Sequence, residues 1–411
     1  MTNTLTSYLS RGFTLLVGAL SNFLIASMLI TRVGQEGYTK YVLLTSLPSL
    51  IPFADFGLGS NVFNFFADKS KGRFTVNTVS ETFILSAILS GSLAIGCVFI
   101  SRFNFKFSNF PFQLPRNEIS LGVGVLCITF FAVPFSLAAK KLFAEGRVTT
   151  VFLIQGTIPL LTLLIIVLCV YSKVGTDNLL YFAPSIAYLL SSLVLFLSSR
   201  IFEHFEIPKI WTIRENSRKI LKLGGWSLCV TTVVALVWQT PKYILQLTTT
   251  NQELTKFSLM SLFLIPGLSV TSVTATWHTT NIRRIDEKSS ILVLTQRSIR
   301  NSQIASILFS FVAFIGFIFL KRMGLSTPDL TSQILAFIAL FVSPTWLIPL
   351  SALTDIDDFK WVSIRIVPFF ILSNYIFYIT SSSNYAFAIL LYVFTTAIPI
   401  RYFAGIRLKQ L

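Results

Sequence analysis

The chain has 411 residues, of which 12% are charged, against the 25% or so typical of a soluble domain. Apolar residues make up 53%, phenylalanine alone fills 40 positions, and mean hydropathy is +0.73. Exposed area grows nearly as fast as chain size, so no soluble core hides this much apolar side chain, and a soluble enzyme is excluded. The net charge of +16, from 33 Lys+Arg against 17 Asp+Glu, would suit nucleic acid if it formed a patch, but the charges sit between apolar runs.

Those runs predict an all-α polytopic membrane protein with twelve transmembrane helices, each near the ~20 residues that a bilayer core requires. The first six fall at about 12–33, 41–66, 80–101, 120–139, 149–171 and 178–200. The second six fall at about 224–247, 254–278, 303–320, 331–352, 361–379 and 385–406. Pro48, Pro52, Pro134, Pro159, Pro184, Pro241, Pro266, Pro344, Pro349, Pro368 and Pro399 all lie within runs. In lipid, proline is tolerated where neighbouring helices or a water-lined cavity satisfy the freed carbonyls, which suits a transporter better than a rigid anchor.

Alternate loops fall on opposite sides, and the cations divide unevenly between them. Twenty-three of the 33 Lys+Arg lie on one side and 9 on the other, with Lys242 inside a run. Lys and Arg concentrate in cytoplasmic loops, so both termini are expected in the cytoplasm. The surplus is thus a topology signal, and nucleic acid is not an expected partner. The longest polar stretches, 200–222 and 281–302, are then both cytoplasmic, while the longest outer loop spans only 102–118. The expected organisation is a six-helix lobe over 1–200, a basic linker over 201–223 and a second six-helix lobe over 224–411, around a central cavity.

Cys97, Cys127, Cys169 and Cys229 lie in apolar runs without CxxC spacing, and read as small buried apolar residues. No Gly-rich phosphate loop is present, so ATP is not the direct energy source. With His204 and His278 the only histidines, neither a metal site nor any cofactor is expected.

A short internal repeat supports two related halves. Gln35-Glu36-Gly37-Tyr38-Thr39-Lys40-Tyr41 follows the first run, and Gln252-Glu253-Leu254-Thr255-Lys256-Phe257 follows the seventh. Both sit at an outer turn, as the parallel-repeat plan of many transporters requires.

Arg11 opens the first run, Thr31-Arg32-Val33-Gly34 precedes Tyr38 and Tyr41, and Asp55-Phe56-Gly57-Leu58-Gly59 precedes Asn61 in the second. Over roughly 9–75 this resembles the Wzx-type polysaccharide flippases of O-antigen and capsule assembly, in the multidrug/oligosaccharidyl-lipid/polysaccharide exporter superfamily. Beyond that stretch the likeness is one of span count, loop lengths and the central basic loop. Such proteins often carry an acidic residue before a basic one in the seventh span; Gln239-Thr240-Pro241-Lys242-Tyr243 has the base and lacks the acid. Ion coupling through that span is therefore not carried over.

The resemblance implies transfer of an undecaprenyl-pyrophosphate-linked oligosaccharide to the outer leaflet of the bacterial inner membrane by alternating access. A monomer working in the bilayer is expected, because both lobes lie in one chain, and glycan polymerase machinery is a further partner that the resemblance brings. A pyrophosphate is strongly penalised in hydrocarbon, so the path needs cations for phosphate and polar side chains for sugar.

Candidates for those roles each have a plainer alternative. Arg11 offers a bidentate guanidinium at the cytoplasmic mouth, or serves as a topology anchor. Asp55 lies near the centre of its run, where a bare carboxylate costs about 2.5–3.5 kcal/mol. It is either a proton- or cation-sensitive coupling group or a cap on the helix break at Gly57 and Gly59. Asn61, Asn64 and Asp68 share one helix face, which lines the path or packs the helix. Lys140 and Arg147 are substrate-path cations or, like Lys141, anchors. Lys242 sits about 10 Å from the centre of a core with a half-thickness of about 15 Å, so it either binds phosphate or snorkels. Gln239 beside it joins the polar-cavity set, whereas Gln155 and Asn374 read as interhelical bonds and His278 as part of an aromatic belt.

Two other functions compete. A multidrug or small-cation exporter of the same fold would prefer several acidic residues within the lobes. A membrane-embedded glycan polymerase or ligase would need a large outer loop, which the spacing excludes, so no enzymatic activity is expected.

Overall fold

The computed structural model describes residues 2–47, 57–67, 76–102, 116–172, 179–206, 217, 221, 225–226, 228–230, 232–233, 236, 239–250, 252–261, 271, 274–275, 288–322, 327–352, 356–381 and 385–410. Among these residues every regular element is helical. Nine helices in the described residues are long and apolar enough to cross a membrane. They are Val17–Ser46, Val79–Phe99, Ser120–Ala144, Val148–Tyr171, Leu179–Ser199, Ile291–Phe319, Leu330–Leu350, Lys360–Ser381 and Phe387–Leu408. Each matches an apolar run, and the runs about 41–66, 224–247 and 254–278 lie partly outside the described residues. The protein is an all-α polytopic membrane protein. Large side chains such as Phe131, Leu197, Leu308 and Phe311 are exposed, as hydrocarbon-facing positions should be.

The chain forms two compact units. One comprises Met1–Ser21 and Tyr41–Ala235; the other comprises Asn22–Lys40 and Leu236–Leu411. Helix α1 (Thr2–Ser46) therefore contributes its middle to the second unit and its two ends to the first. The helix is interrupted at Gly34, whose φ of 76° and ψ of 178° belong to a region open essentially to glycine alone.

In the first unit, α2 (Leu58–Ala67), α3 (Val76–Arg102), α4 (Arg116–Ser136), α5 (Ala138–Ala144), α6 (Val148–Ser172) and α7 (Leu179–Ser199) follow in order. A single turn of 3₁₀ helix, Ile201–His204, comes after them. Pro134 lacks an N–H in the last turn of α4, where Leu137 N donates to Pro134 O at 3.3 Å before α5 begins. Helix α4 packs between α3 and α7, α6 packs on α7, and α2 packs on α5. Lipid tails are as apolar as leucine, so small residues and hydroxyl pairs hold membrane helices together. Thr129 and Ser185 pair across α4 and α7 at 3.1 Å, and Thr157 and Ser191 across α6 and α7 at 3.2 Å. Gly156 of α6 lets α1 come closer than any side chain permits, since a Cβ there would lie 2.4 Å from Thr14 Cγ2.

The second unit adds to residues 22–40 the helices α8 (Thr240–Thr248), α9 (Lys288–Arg322), α10 (Leu330–Val342), α11 (Pro344–Ala352), α12 (Ile356–Ser381) and α13 (Tyr385–Gln410). Residues 252–261 are also helical. Helices α12 and α13 pair along most of their length, α10 and α11 pack on α13, and α8 packs on α12. Pro241 stands in the first turn of α8, where its missing N–H costs nothing. Thr248 at the other end of α8 pairs with Ser381 of α12 at 2.8 Å.

Candidate functional site

At the basic end of the first unit, the two lysines of α5 point apart, as adjacent residues on a 3.6-residue helix must. Lys140 is exposed, while Lys141 is buried at 4% exposure. The Lys141 Nζ donates to Ser199 O at 2.7 Å and Arg200 O at 3.5 Å, the terminal carbonyls of α7. It also lies 3.6 Å from Glu145 Oε1 and 5.2 Å from the centre of the Phe66 ring. Arg147, exposed, donates to Ser198 O of the same helix end at 3.4 Å. Arg200 closes the helix in the left-handed conformation, with φ 48° and ψ 34°. Two cations thus meet the negative end of the α7 dipole and satisfy carbonyls that the helix leaves unpaired. This end of the unit is built to hold α2, α5 and α7 in fixed register.

The second unit contains a different kind of polar site. Gln239 precedes α8, and its Oε1 is closed off from solvent and accepts no hydrogen bond. Lys242, in the first turn of the helix, is 4% exposed. The ion pairs among the described residues are Lys141–Glu145, Arg200–Glu203 and Lys256–Glu253, so no described carboxylate pairs with Lys242. On neighbouring α12, Asn374 donates to Phe370 O at 2.8 Å, which leaves its Oδ1 buried without a partner. The Tyr392 hydroxyl of α13 lies beside Asn374, short of hydrogen-bonding geometry, and is also buried. Unspent buried acceptors are costly, and here one stands just before α8 and another on α12, which packs against it.

The same unit also carries an ordered ionic group. Lys256 pairs with Glu253 at 2.7 Å, and the Asp329 carboxylate caps α10 by accepting from the Ser332 N–H at 3.3 Å and from the Ser332 hydroxyl. Burial would push the Asp329 carboxyl up, but its hydrogen bonds and nearby Lys256 outweigh that and hold it below the usual carboxylate value.

The structure therefore sorts the sequence candidates. Lys140 and Arg147 lie at the basic end of the first unit, and Gln239 and Lys242 lie together in the second. Asn61 is buried in α2 at 1% exposure. Arg11 and Asn64 stand on described helices, but their side chains, like Asp55 and His278 altogether, lie outside the described residues. Sequence reading passed over Glu81, a carboxylate buried at 0% exposure in α3 between Ser80 and Thr82. Its place at the edge of an apolar run made it look like a boundary residue. Among the described residues no group of three or more His, Cys, Asp or Glu side chains could hold a metal ion.

No protein-family model and no curated protein matches the sequence. Solved structures match over nearly the full length. The outward-facing structure of a multidrug resistance MATE family transporter of the MOP superfamily aligns at 14% identity with a TM-score of 0.67, covering 98% of this chain and 96% of that one. A MATE structure in complex with MaD3S aligns at 12% identity and TM-score 0.69, covering 99% and 96%. A MOP superfamily transporter from Pyrococcus furiosus, in which reverse polarity of the binding pocket suggests a different function, aligns at 13% identity and TM-score 0.64, covering 98% and 95%. The chain has the fold of these transporters.

Proposed function

We propose that the protein is a membrane exporter that moves small organic molecules outward by alternating access. The observation carrying this reading is the full-length likeness to a multidrug resistance transporter, which extends over 98% of the chain. The proline-interrupted helices support it, since such helices leave backbone groups to line a path. The expected setting is a bacterial inner membrane with both termini in the cytoplasm, as the distribution of Lys and Arg supports. The test is reconstitution into proteoliposomes loaded with a fluorescent cationic dye, with an imposed proton or sodium gradient. Gradient-dependent, protein-dependent dye movement is the expected result, and none would sink the reading.

One observation favours a second reading, a flippase for undecaprenyl-pyrophosphate-linked oligosaccharide. Lys242 is buried with no described carboxylate beside it, which repels a cationic drug and suits a phosphate. The Pyrococcus furiosus transporter supports the idea that pocket polarity differs between members of this fold. On this reading the carrier lipid enters from the bilayer, Arg11, Lys140, Arg147 and Lys242 meet its phosphates, and Asn61, Asn64 and Gln239 meet its sugars. Asp55 couples the movement, and polymerase machinery consumes the product. Depletion in the native cell, followed by impermeant labelling of lipid-linked glycans in spheroplasts, separates the two readings. Complete units that the probe cannot reach support the flippase; normal labelling with new dye sensitivity supports the exporter.

A further inference from the structure

The membrane-crossing part of α12 opens with Lys360 and Trp361, and Arg365 follows one turn later. At 1.5 Å per residue, the Arg365 backbone lies about 7.5 Å inside the span. Arg365 is not on the buried face of α12, which carries Val362, Ile366 and Ser373. It shares its face with Ile364, Ile371 and Leu372, all exposed as lipid-facing residues are. A cation on such a surface has to reach water or an anion.

Long side chains on a helix lean back toward its N-terminus, and Arg365 does so. Its Nη1 donates to Trp361 O at 3.0 Å, and its Cζ stands 3.9 Å from the centre of the Trp361 ring. A guanidinium carries five N–H donors, and this bond uses one of them. The ion pairs among the described residues do not include Arg365. The indole is itself braced: it meets Phe403 of α13 edge-on at 6.0 Å, and Phe403 meets Phe369 at 6.0 Å. Exposed Tyr402 adds a further ring 5.3 Å from Phe403.

The charge nearby is of one sign along α13, which carries Arg401, Arg407 and Lys409 and neither Asp nor Glu. Asp357 and Asp358 open α12 before the span begins, on the water side of Trp361, and their side chains lie outside the described residues. A stacked guanidinium with donors to spare therefore stands at the edge of a span, beside aromatic rings and above an apolar face. That combination matches a lipid headgroup above its acyl chain.

We propose that Arg365 and Trp361 form a binding site for an anionic phospholipid. The lipid phosphate takes the outer edge of the guanidinium, and one acyl chain runs along α12 past Ile371 and Leu372. The planar fork of arginine suits a phosphate better than the point charge of a lysine. A net-negative headgroup is required, since a zwitterionic one brings its own cation to the phosphate. The lipid is a resident partner and not cargo, so the site stands whichever substrate the protein moves.

The test is native mass spectrometry of the full chain in detergent, titrated with phosphatidylglycerol or with phosphatidylcholine of the same acyl chains. Phosphatidylglycerol should bind about tenfold more tightly, the low end for a hydrogen bond to a charged group. Equal binding of the two lipids overturns the site. Arg365→Gln should remove that preference and leave phosphatidylcholine unchanged; undiminished binding of phosphatidylglycerol overturns the site. If Arg365→Gln melts low, Arg365→Lys replaces it, and should still weaken phosphatidylglycerol about threefold because the fork is lost. No weakening again overturns the site.

Two controls separate this lipid from other anions and from net charge. Arg401 lies two residues from Phe403, about 200° around α13, and so on the far side from Trp361. Arg401→Gln should weaken phosphatidylglycerol less than about twofold, the scale of one exposed charge. A loss equal to that of Arg365→Gln would reduce the effect to surface charge and overturn the site. Inorganic phosphate in large excess should displace none of the lipid, because it has no chain to hold it on this face. Displacement would mark a site for free anions and overturn the lipid assignment.

Discussion

Two lysines in this protein are equally buried, each at 4% exposure, and they live in opposite circumstances. Lys141 of the first unit has two carbonyls, a carboxylate and an aromatic face around its ammonium. Lys242 of the second unit has no carboxylate partner among the described residues, and the Oε1 of Gln239, three residues before it, accepts no hydrogen bond. Burial of a charge tells little by itself. A cation with its partners in place holds a structure together, whereas Lys242 has no carboxylate partner among the described residues. The comparison can be attacked through stability, where the two residues should give opposite answers.

The largest effect is expected at Lys141. Lys141→Met keeps the stem's packing and removes the charge, leaving the last carbonyls of α7 without their donor. Hydrogen bonds to a charged group contribute about 1.5–3 kcal/mol, and a loss of that size should appear as a lower melting temperature in detergent and lower membrane abundance. Lys141→Arg, which keeps the charge with a different fork, should recover part of it. A variant as stable as the parent would break the comparison at its first term.

Asp329 comes next and supplies the carboxylate counterpart in the second unit. Asp329→Ala removes the cap of α10, which is worth about 0.5–2 kcal/mol, read from the same melting curves. Its pH dependence has a definite sign. The folded carboxyl is held below its unfolded value, so the contribution is complete above about pH 4 and fades as pH falls through the depressed folded value. Parent and Asp329→Ala should therefore converge in acid and separate above pH 4; a gap that widens in acid would contradict the cap.

Arg147 should matter less. It reaches only Ser198 O, at 3.4 Å, from an exposed position. Arg147→Ala should cost about 0.3–1 kcal/mol, the usual value of one exposed cation at a helix end, and should shrink in high salt. A larger loss would mean that the arginine shares the work assigned here to Lys141.

How much of this was legible beforehand differs between the two lysines as well. Hydropathy displays spans because each apolar run is local, and nine runs reappear as helices. Lys140 and Lys141 are neighbours in sequence, and no local signal says which one turns inward; the carbonyls that Lys141 serves lie 58 and 59 residues away. Lys242 was legible because it interrupts an apolar run, which is itself a local signal. Glu81 escaped because a carboxylate at the edge of a run looks the same whether it faces solvent or protein. The assignment of residues 22–40 to the second unit was beyond reach for the same reason, since it depends on partners more than 200 residues away, such as Thr255.

The smallest stability effect is the most informative. Replacing a buried charge by an apolar side chain of similar volume is often neutral or stabilising, because the desolvation cost disappears with the charge. Lys242→Met should therefore melt within about 1 kcal/mol of the parent, or above it, while Lys141→Met falls clearly below. If Lys242 serves an anionic substrate, the same variant should lose transport at full abundance, and Lys242→Arg should restore part of it. If it only props the helix, Lys242→Met should melt low and transport normally in proportion to the protein present. The two lysines would then be alike after all, and the anionic reading of the second unit would lose its main support.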